Sequence, residues 1–441
     1  MEIDKTTLED LSVFNKEETY SVFHRLNFTR TVGGKEQLKF FFTHPLADIA
    51  AVSGTQDTVK YILAGIEQWP DSITNGTMMV MEKFFDAGSE PIPPAQNAAL
   101  SPQNLYYRIM YAGDYSLVRY SLSHFISFFQ GLSQLMGLYR QANTPPLLRK
   151  LFTQVEDMLA KPVIKEMSQY DPQERLSFSR VLYFGYQLRH QQRSVTALIA
   201  LYYQLDAYYS MAAAVKHFGL SFPRFATDDH PFFRARALYH ILLKHPVSYE
   251  VSMDPETNFL FLTGANMSGK STFIKAIGIS AFLAHIGMGV PAEELQLTWM
   301  DGLLSTIQVE DNVVLGESYF FNEVQRIKKT ILKINDGRHW LILIDELFKG
   351  TNFRDAKICS VKVIEGLLKM RNSFFVLSTH LYEIAADLQQ YHNIRFNYFE
   401  TSVTDEVPSF SYQLKDGISN DRLGFLILKR EKVLELLDRI G

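Results

Sequence analysis

A chain of 441 residues, 46% hydrophobic and 21% charged, has the make-up of an ordinary globular protein of two or three domains. Its formal net charge of −4 excludes a generic polyanion binder, and its one cysteine, Cys359, excludes an internal disulfide. No run approaches the roughly 20 apolar residues of a membrane span, and Met1-Glu-Ile-Asp-Lys5 is no secretory leader, so the expectation is a cytoplasmic protein with no membrane contact.

The first half reads as helical. From Leu117 to Tyr139, the residues Leu117, Tyr120, Leu122, Phe125, Phe129, Leu132, Met136 and Tyr139 recur mostly at three- and four-residue spacing. Val195 to Phe218 repeats the habit with Leu198, Leu201, Tyr202, Leu205, Tyr209 and Ala213. Rings on a helix period predict core packing; the rival reading is a base-stacking platform. Gly88–Ala95 and Asn143–Pro146 break the helical runs, and Leu220–Pro223 ends the last long one. The basic stretches Leu148–Leu151 and Leu188–Arg193 are expected to be solvated helix faces, with nucleic-acid contact as the alternative.

Near residue 225 the texture changes. Apolar runs Phe259–Thr263, Trp340–Ile344 and Phe374–Leu377 read as strands. They alternate with helical patterns at Lys270–His285, Tyr319–Ile334, Asp355–Met370 and Tyr382–Gln390. Such alternation predicts a largely parallel sheet wrapped by helices. The fold class is therefore multidomain, α followed by α/β: a helical domain over 1–225 and an α/β domain over 226–441. Cys359, inside the helical pattern Ala356–Ile364, is expected as a small buried apolar residue.

The most specific stretch is Gly264, Ala265, Asn266, Met267, Ser268, Gly269, Lys270, Ser271 and Thr272, which fits the phosphate-binding pattern G-x-x-x-x-G-K-[ST]. An apolar strand enters it and a helix leaves it, so free N–H groups of the helix start would face an anion. Lys270 would reach the β/γ-phosphates, and Ser271 would ligate Mg²⁺. About 75 residues further on, the strand ending in Asp345-Glu346 supplies the partner carboxylates, Asp345 for the metal and Glu346 as general base. His380 follows the next strand and is placed to touch the γ-phosphate or the attacking water. Ser318 precedes a helix; it is read either as an N-cap or as an anion contact for a second subunit's nucleotide.

These motifs, in this order, resemble the MutS family, the DNA mismatch-repair ATPases of ABC type. Thr263–Thr272 resembles T-G-P-N-M-x-G-K-S-T, with Ala265 replacing proline. Ala284–Ala292 is similar to A-Q-I-G-x-x-V-P-A, and Gly316–Glu323 to G-x-S-T-F-x-x-E, with Tyr319 for threonine. Asp345–Thr351 with Asp355 matches D-E-x-G-R-G-T-x-x-x-D except at Phe348 and Lys349. Ser378–Ile384 follows A-T-H-x-x-E-L with Ser378 and Ile384 substituted. Fainter similarity, through Leu26–Thr31, Gly33-Gly34, His44–Asp48, Leu205-Asp206, Pro223 and His245-Pro246, implies a helical core and lever before the ABC-type P-loop ATPase domain. The resemblance implies ATP and Mg²⁺ as ligands, with Lys270 and Ser271 on phosphate and metal, and Asn266 sensing the phosphates. It gives Asp345 to Mg²⁺, Glu346 to the water, His380 to a γ-phosphate switch, and Ser318 to the partner's ATP. Gly350, Thr351 and Asp355 would couple two sites of a head-to-tail homodimer.

Departures qualify the resemblance. The core match begins almost at residue 1, leaving no room for the mismatch-reading and connector domains, and residues 62–195 are short for both a lever and a DNA clamp. The first half has no Phe-x-Glu; Phe321-Asn-Glu323 lies in the ATPase region, where a structural role is expected. Gly302 and Thr306 stand where the family has arginines, and the chain stops soon after the helix Gly424–Asp438. The expected function is an ATPase (ATP and water to ADP and phosphate) that switches its grip on structured or branched DNA without reading mismatches. The alternatives are an ATPase regulating a protein or ribonucleoprotein partner, and a binding module whose ATPase has decayed. Tyr249, just before the loop strand, is a candidate adenine contact, with core packing favoured.

Overall fold

The computed structural model describes residues 1–86, 92–93, 102–228, 230–307, 319–404, 407–419, 433 and 436. Met1–Arg25, Pro45–Val52 and Phe218–Gly441 form one compact unit, and Leu26–His44 with Ser53–His217 form another.

The first unit is α/β. Its strands in chain order are β1 (Glu2–Ile3), β2 (Arg224–Ala226), β3 (Phe233–Leu238), β4 (Tyr249–Met253), β5 (Phe259–Thr263), β6 (Glu294–Thr298), β7 (Gly302–Thr306), β8 (Trp340–Asp345), β9 (Phe374–Ser378), β10 (Ile394–Thr404) and β11 (Val407–Asp416). Among the described residues one sheet runs β1-β7-β8-β9-β5-β10-β11 and a smaller one runs β2-β6-β3-β4. The large sheet is parallel from β1 to β10, and β11 closes it as an antiparallel edge. β5, β7 and β9 are buried along their whole length, and β5 and β9 open on four apolar residues in a row: a parallel strand covered on both faces has no side to spare for water. Across the sheet, Leu304, Ile342, Phe375 and Phe259 lie in register and share one hydrophobic cluster with Ile364 and Leu367 of the helix Phe353–Leu367. Each such fully buried side chain contributes about 1.5–3 kcal/mol. That helix begins two residues before its apolar pattern does because Asn352 caps it, accepting from Asp355 N. Cys359 is half-buried against this cluster rather than enclosed.

The first 25 residues belong to this unit, which differs from a single division near residue 225. Ile3 pairs with Leu303, Thr7 Oγ1 accepts from Ser305 N at 2.9 Å, and buried Asp10 accepts from Ser305 Oγ at 2.6 Å and Ile307 N at 3.0 Å. A two-residue strand paired so far along the chain leaves no local signal. The small mixed sheet is also absent from the sequence reading, because its strands are short and partly exposed. Gly302 has its own reason: a Cβ there would sit 2.0 Å from the ring of Trp340, its register partner.

The second unit is helical. Its long helices are Ala112–Tyr139, Pro146–Leu159, Phe178–His190 and Gln192–Phe218, the last followed to His217 in this unit. Phe125, Phe129 and Leu132 are buried, with Phe84 edge-on to Phe125 at 5.2 Å and Phe128 edge-on to Tyr202 at 5.9 Å. The aromatic stripe is thus core, apart from Tyr120, which points outward. Arg149, Lys150, His190 and Arg193 lie on solvated faces.

Candidate functional site

β8, β9 and β5 are neighbours, so their carboxyl ends bring three distant segments together. After β5 the chain turns through Gly264 (φ +135°) and Gly269 (φ +109°), and the helix Lys270–His285 starts. Met267, between them, holds φ +69°, a strained value for a side chain that is itself exposed. Lys270 is only 5% exposed, and its ammonium spans the loop, donating to Gly264 O at 2.8 Å and Ala265 O at 2.9 Å. Burial brings the ammonium down to about 8, although Glu346 and Asp345 pull the other way. Ser268 is buried, and its Oγ has no hydrogen-bond partner among the described residues.

Asp345 ends β8 opposite Ser378 of β9. Both its oxygens take hydroxyls: Ser271 Oγ donates to Oδ2 at 2.5 Å, and Ser378 Oγ donates to Oδ1. Glu346 continues the ladder by donating its N–H to Ser378 O at 3.0 Å, but turns sharply at φ +66°. Its Oε1 lies 2.5 Å from His380 Nε2 and its Oε2 3.0 Å from Lys349 Nζ. Burial alone would raise this carboxyl; the hydrogen bond and charge of His380, then those of Lys349, outweigh it and bring it down to about 2.

These groups line one cavity of about 590 Å³. Asn266, Met267, Ser268, Gly269, Lys270, Ser271, Thr272, Asp345, Glu346 and His380 all face it, while Gly264 and Ala265 lie behind, holding Lys270. Leu243, His245, Val247, Tyr249, Lys349 and Tyr412 also line the cavity. Tyr249 packs edge-on against Phe273 at 5.0 Å and Phe399 at 5.9 Å, and burial pushes its hydroxyl up to about 12. Ser318, with Gly316 and Glu317, lies outside the described residues, as do Gly424 and Asp438.

Sequence reasoning missed four residues. Ser378, read only as a substitution, is a hydroxyl on Asp345. Lys349, read only as a departure from the D-E-x-G-R-G-T pattern, is an ammonium on Glu346. Tyr412, 43% exposed at φ +56°, reaches the cavity from an irregular part of the β10–β11 pairing, where strand alternation fails as a guide. Glu323, buried on the helix Tyr319–Ile334, accepts from Lys349 N at 3.0 Å and Gly350 N at 3.1 Å.

The fold and cavity define a mixed α/β protein whose glycine-rich strand–loop–helix and paired carboxylates meet at the carboxyl edge of a parallel sheet. Residues 260–435 match the family model of MutS domain V. That match and the relatives that follow support membership of the MutS family. It is similar to the DNA mismatch repair protein MutS of Petrotoga mobilis, at 26% identity over 235 residues, covering 51% of this chain and 28% of that protein. MutS protein homolog 4 of Homo sapiens is 31% identical over 191 residues, 42% of this chain and 20% of its own length. The DNA mismatch repair protein MSH2 of Saccharomyces cerevisiae is 28% identical over 234 residues, 48% of this chain and 24% of its own length. The chain thus spans less than a third of the length of these curated relatives. Among the described residues no helix is long and apolar enough to cross a membrane.

Proposed function

We propose that the cavity binds ATP with Mg²⁺ and hydrolyses it, and that the cycle switches the protein's grip on structured or branched DNA. The observation that carries this reading is the convergence of Lys270, Ser271, Asp345, Glu346 and His380 on a single cavity beside a glycine-rich helix start.

Magnesium suits the donor set. It takes one or two protein oxygens and leaves the rest to phosphate and water, and Ser271 Oγ and Asp345 Oδ2 already lie 2.5 Å apart. Among the described residues no cluster of three or more His, Cys, Asp or Glu offers a fuller cage. When bound, the ion supplies positive charge to the phosphate oxygens.

The chain's own groups do the rest. Lys270 exchanges the carbonyls of Gly264 and Ala265 for β/γ-phosphate oxygens, which restore its full charge. The N–H groups at the start of the helix Lys270–His285 and the Ser268 hydroxyl cradle the anion. Tyr412 offers an exposed ring to the base. Glu346 orients the attacking water and accepts its proton. With His380 and Lys349 on it, the carboxylate is a weak base; His380 turning to the γ-phosphate frees Oε1, while Lys349 keeps Oε2 and the orientation. Ser318 completes the site of a second copy in a homodimer.

Phosphate release is the test, with Mg²⁺ and with no nucleic acid, duplex DNA, junction DNA or RNA. Stimulation by junction DNA supports the whole reading. Turnover with no binding to any nucleic acid at low salt moves the function to a protein partner, which the net charge of −4 accommodates. No turnover under any condition leaves only a binding module.

A further inference from the structure

We propose that Glu323 is a positioning residue for Glu346, acting through the loop that carries Lys349; the inference rests on the hydrolysis reading above. The loop from Glu346 to Gly350 is strained. Two of its non-glycine residues sit at positive φ, Glu346 at +66° and Phe348 at +59°. Such a conformation persists only when its surroundings impose it.

The first turns of the helix Tyr319–Ile334 do so at two points. Phe348 rests against Phe320 with ring centroids 5.7 Å apart. Glu323, 4% exposed, spends both carboxylate oxygens on successive loop amides, Lys349 N at 3.0 Å and Gly350 N at 3.1 Å. A carboxylate is the right group for this. It only accepts, and it offers two oxygens side by side to two N–H groups. The pinned Lys349 then returns its ammonium to Glu346 Oε2 at 3.0 Å. The path runs from Glu323 through two backbone amides and one ion pair to the oxygen opposite the one His380 holds. A shift in the helix start therefore changes the aim of the general base without touching the loop that holds Lys270.

A glutamine at 323 keeps the volume but turns one of the two acceptors into a donor facing an N–H. The expectation for Glu323→Gln is a kcat lower by about tenfold or more, since small misplacements of a catalytic group are costly. Nucleotide affinity, read with a fluorescent ATP analogue, stays within about twofold of wild type, because no atom of Glu323 lines the cavity. Lys349→Met lowers kcat likewise, Lys349→Arg keeps it near wild type, and the Glu323→Gln/Lys349→Met double variant is no slower than the worse single one. Far-UV spectra and melting temperatures check that each variant is folded. Wild-type kcat in Glu323→Gln, full additivity in the double variant, or affinity falling in step with kcat overturns the proposal. If the wild type itself shows no Mg²⁺-dependent turnover, the hydrolysis reading falls, and this inference with it.

Discussion

Two carboxylates, one in each unit, show how differently the same group can be used. Asp206, in the helical unit, is 0% exposed and saturated by neutral donors: Arg30 N at 2.9 Å, Thr31 N at 3.0 Å and Thr31 Oγ1 at 2.6 Å. Among the described residues it forms no ion pair, and burial raises its carboxyl despite those bonds. Glu346, in the α/β unit, is half-buried on a strained backbone, held by the side chains of His380 and Lys349, and faces a cavity. Asp206 ties the segment Arg30–Thr31 to the helix Gln192–Phe218; every donor on it is local protein, and nothing is left to give to a ligand. Glu346 is bound by two side chains that themselves line the cavity. Saturation by local neutral donors marks a structural carboxylate, and side-chain partners that face a cavity mark a chemical one.

The largest expected effect separates the two roles. Glu346→Gln should lower phosphate release by about a hundredfold or more, with ATP still bound and dimer accumulating in light scattering. Its unfolding midpoint in urea should stay close to wild type. Asp206→Ala should do the reverse, lowering stability by about 3 kcal/mol in urea titration while turnover per folded molecule is kept, because buried N–H groups lose their acceptor. If Asp206→Ala abolishes turnover in the folded protein, the contrast fails.

A pH series sharpens the comparison next. Full burial brings His285, in the α/β unit, down to about 3, with Nε2 accepting from Met300 N at 3.2 Å. A depressed histidine contributes stability that is complete above its unfolded value of 6.5 and is lost as pH falls towards 3. Between pH 7 and pH 5 this one group should cost about 2 kcal/mol, and His285→Gln should flatten the slope. Asp206 has the opposite sign: its raised carboxyl favours the fold below the unfolded value of 3.8, and that contribution fades as pH rises through the folded one. Segment-resolved hydrogen exchange on acidification should therefore show protection falling first in the α/β unit. The smallest effect is Gly34→Ala. Its Cβ would fall 2.0 Å from Asp206 Oδ2, so a stability lower by about 1–2 kcal/mol in urea titration is expected in place of the usual gain from alanine in a helix.

The elements with strong periodicity were legible in the sequence. The helix Gln192–Phe218 and the strands β5, β8 and β9 carry their pattern in consecutive residues, with no need of a distant partner to reveal it. So was most of the cavity: the loop Gly264–Thr272, Asp345-Glu346 and His380 are compact motifs whose spacing reflects strand–loop–helix geometry. What escaped depends on long-range pairing. β1 is two residues long, and Asp10 has its function only because Ser305 and Ile307 arrive beside it. Tyr412 sits where β10 and β11 lose register, and Glu323, which closes the Gly316–Glu323 match, shows its partners only when Lys349 N and Gly350 N are seen on it.

The most direct test is Mg²⁺-dependent phosphate release by the wild type beside Lys270→Ala. The account predicts steady turnover in the wild type, lost on chelation, and none above background in the folded variant, whose loop has lost the ammonium held by Gly264 and Ala265. Undiminished turnover in Lys270→Ala would contradict it, because hydrolysis would then belong to some other part of the chain.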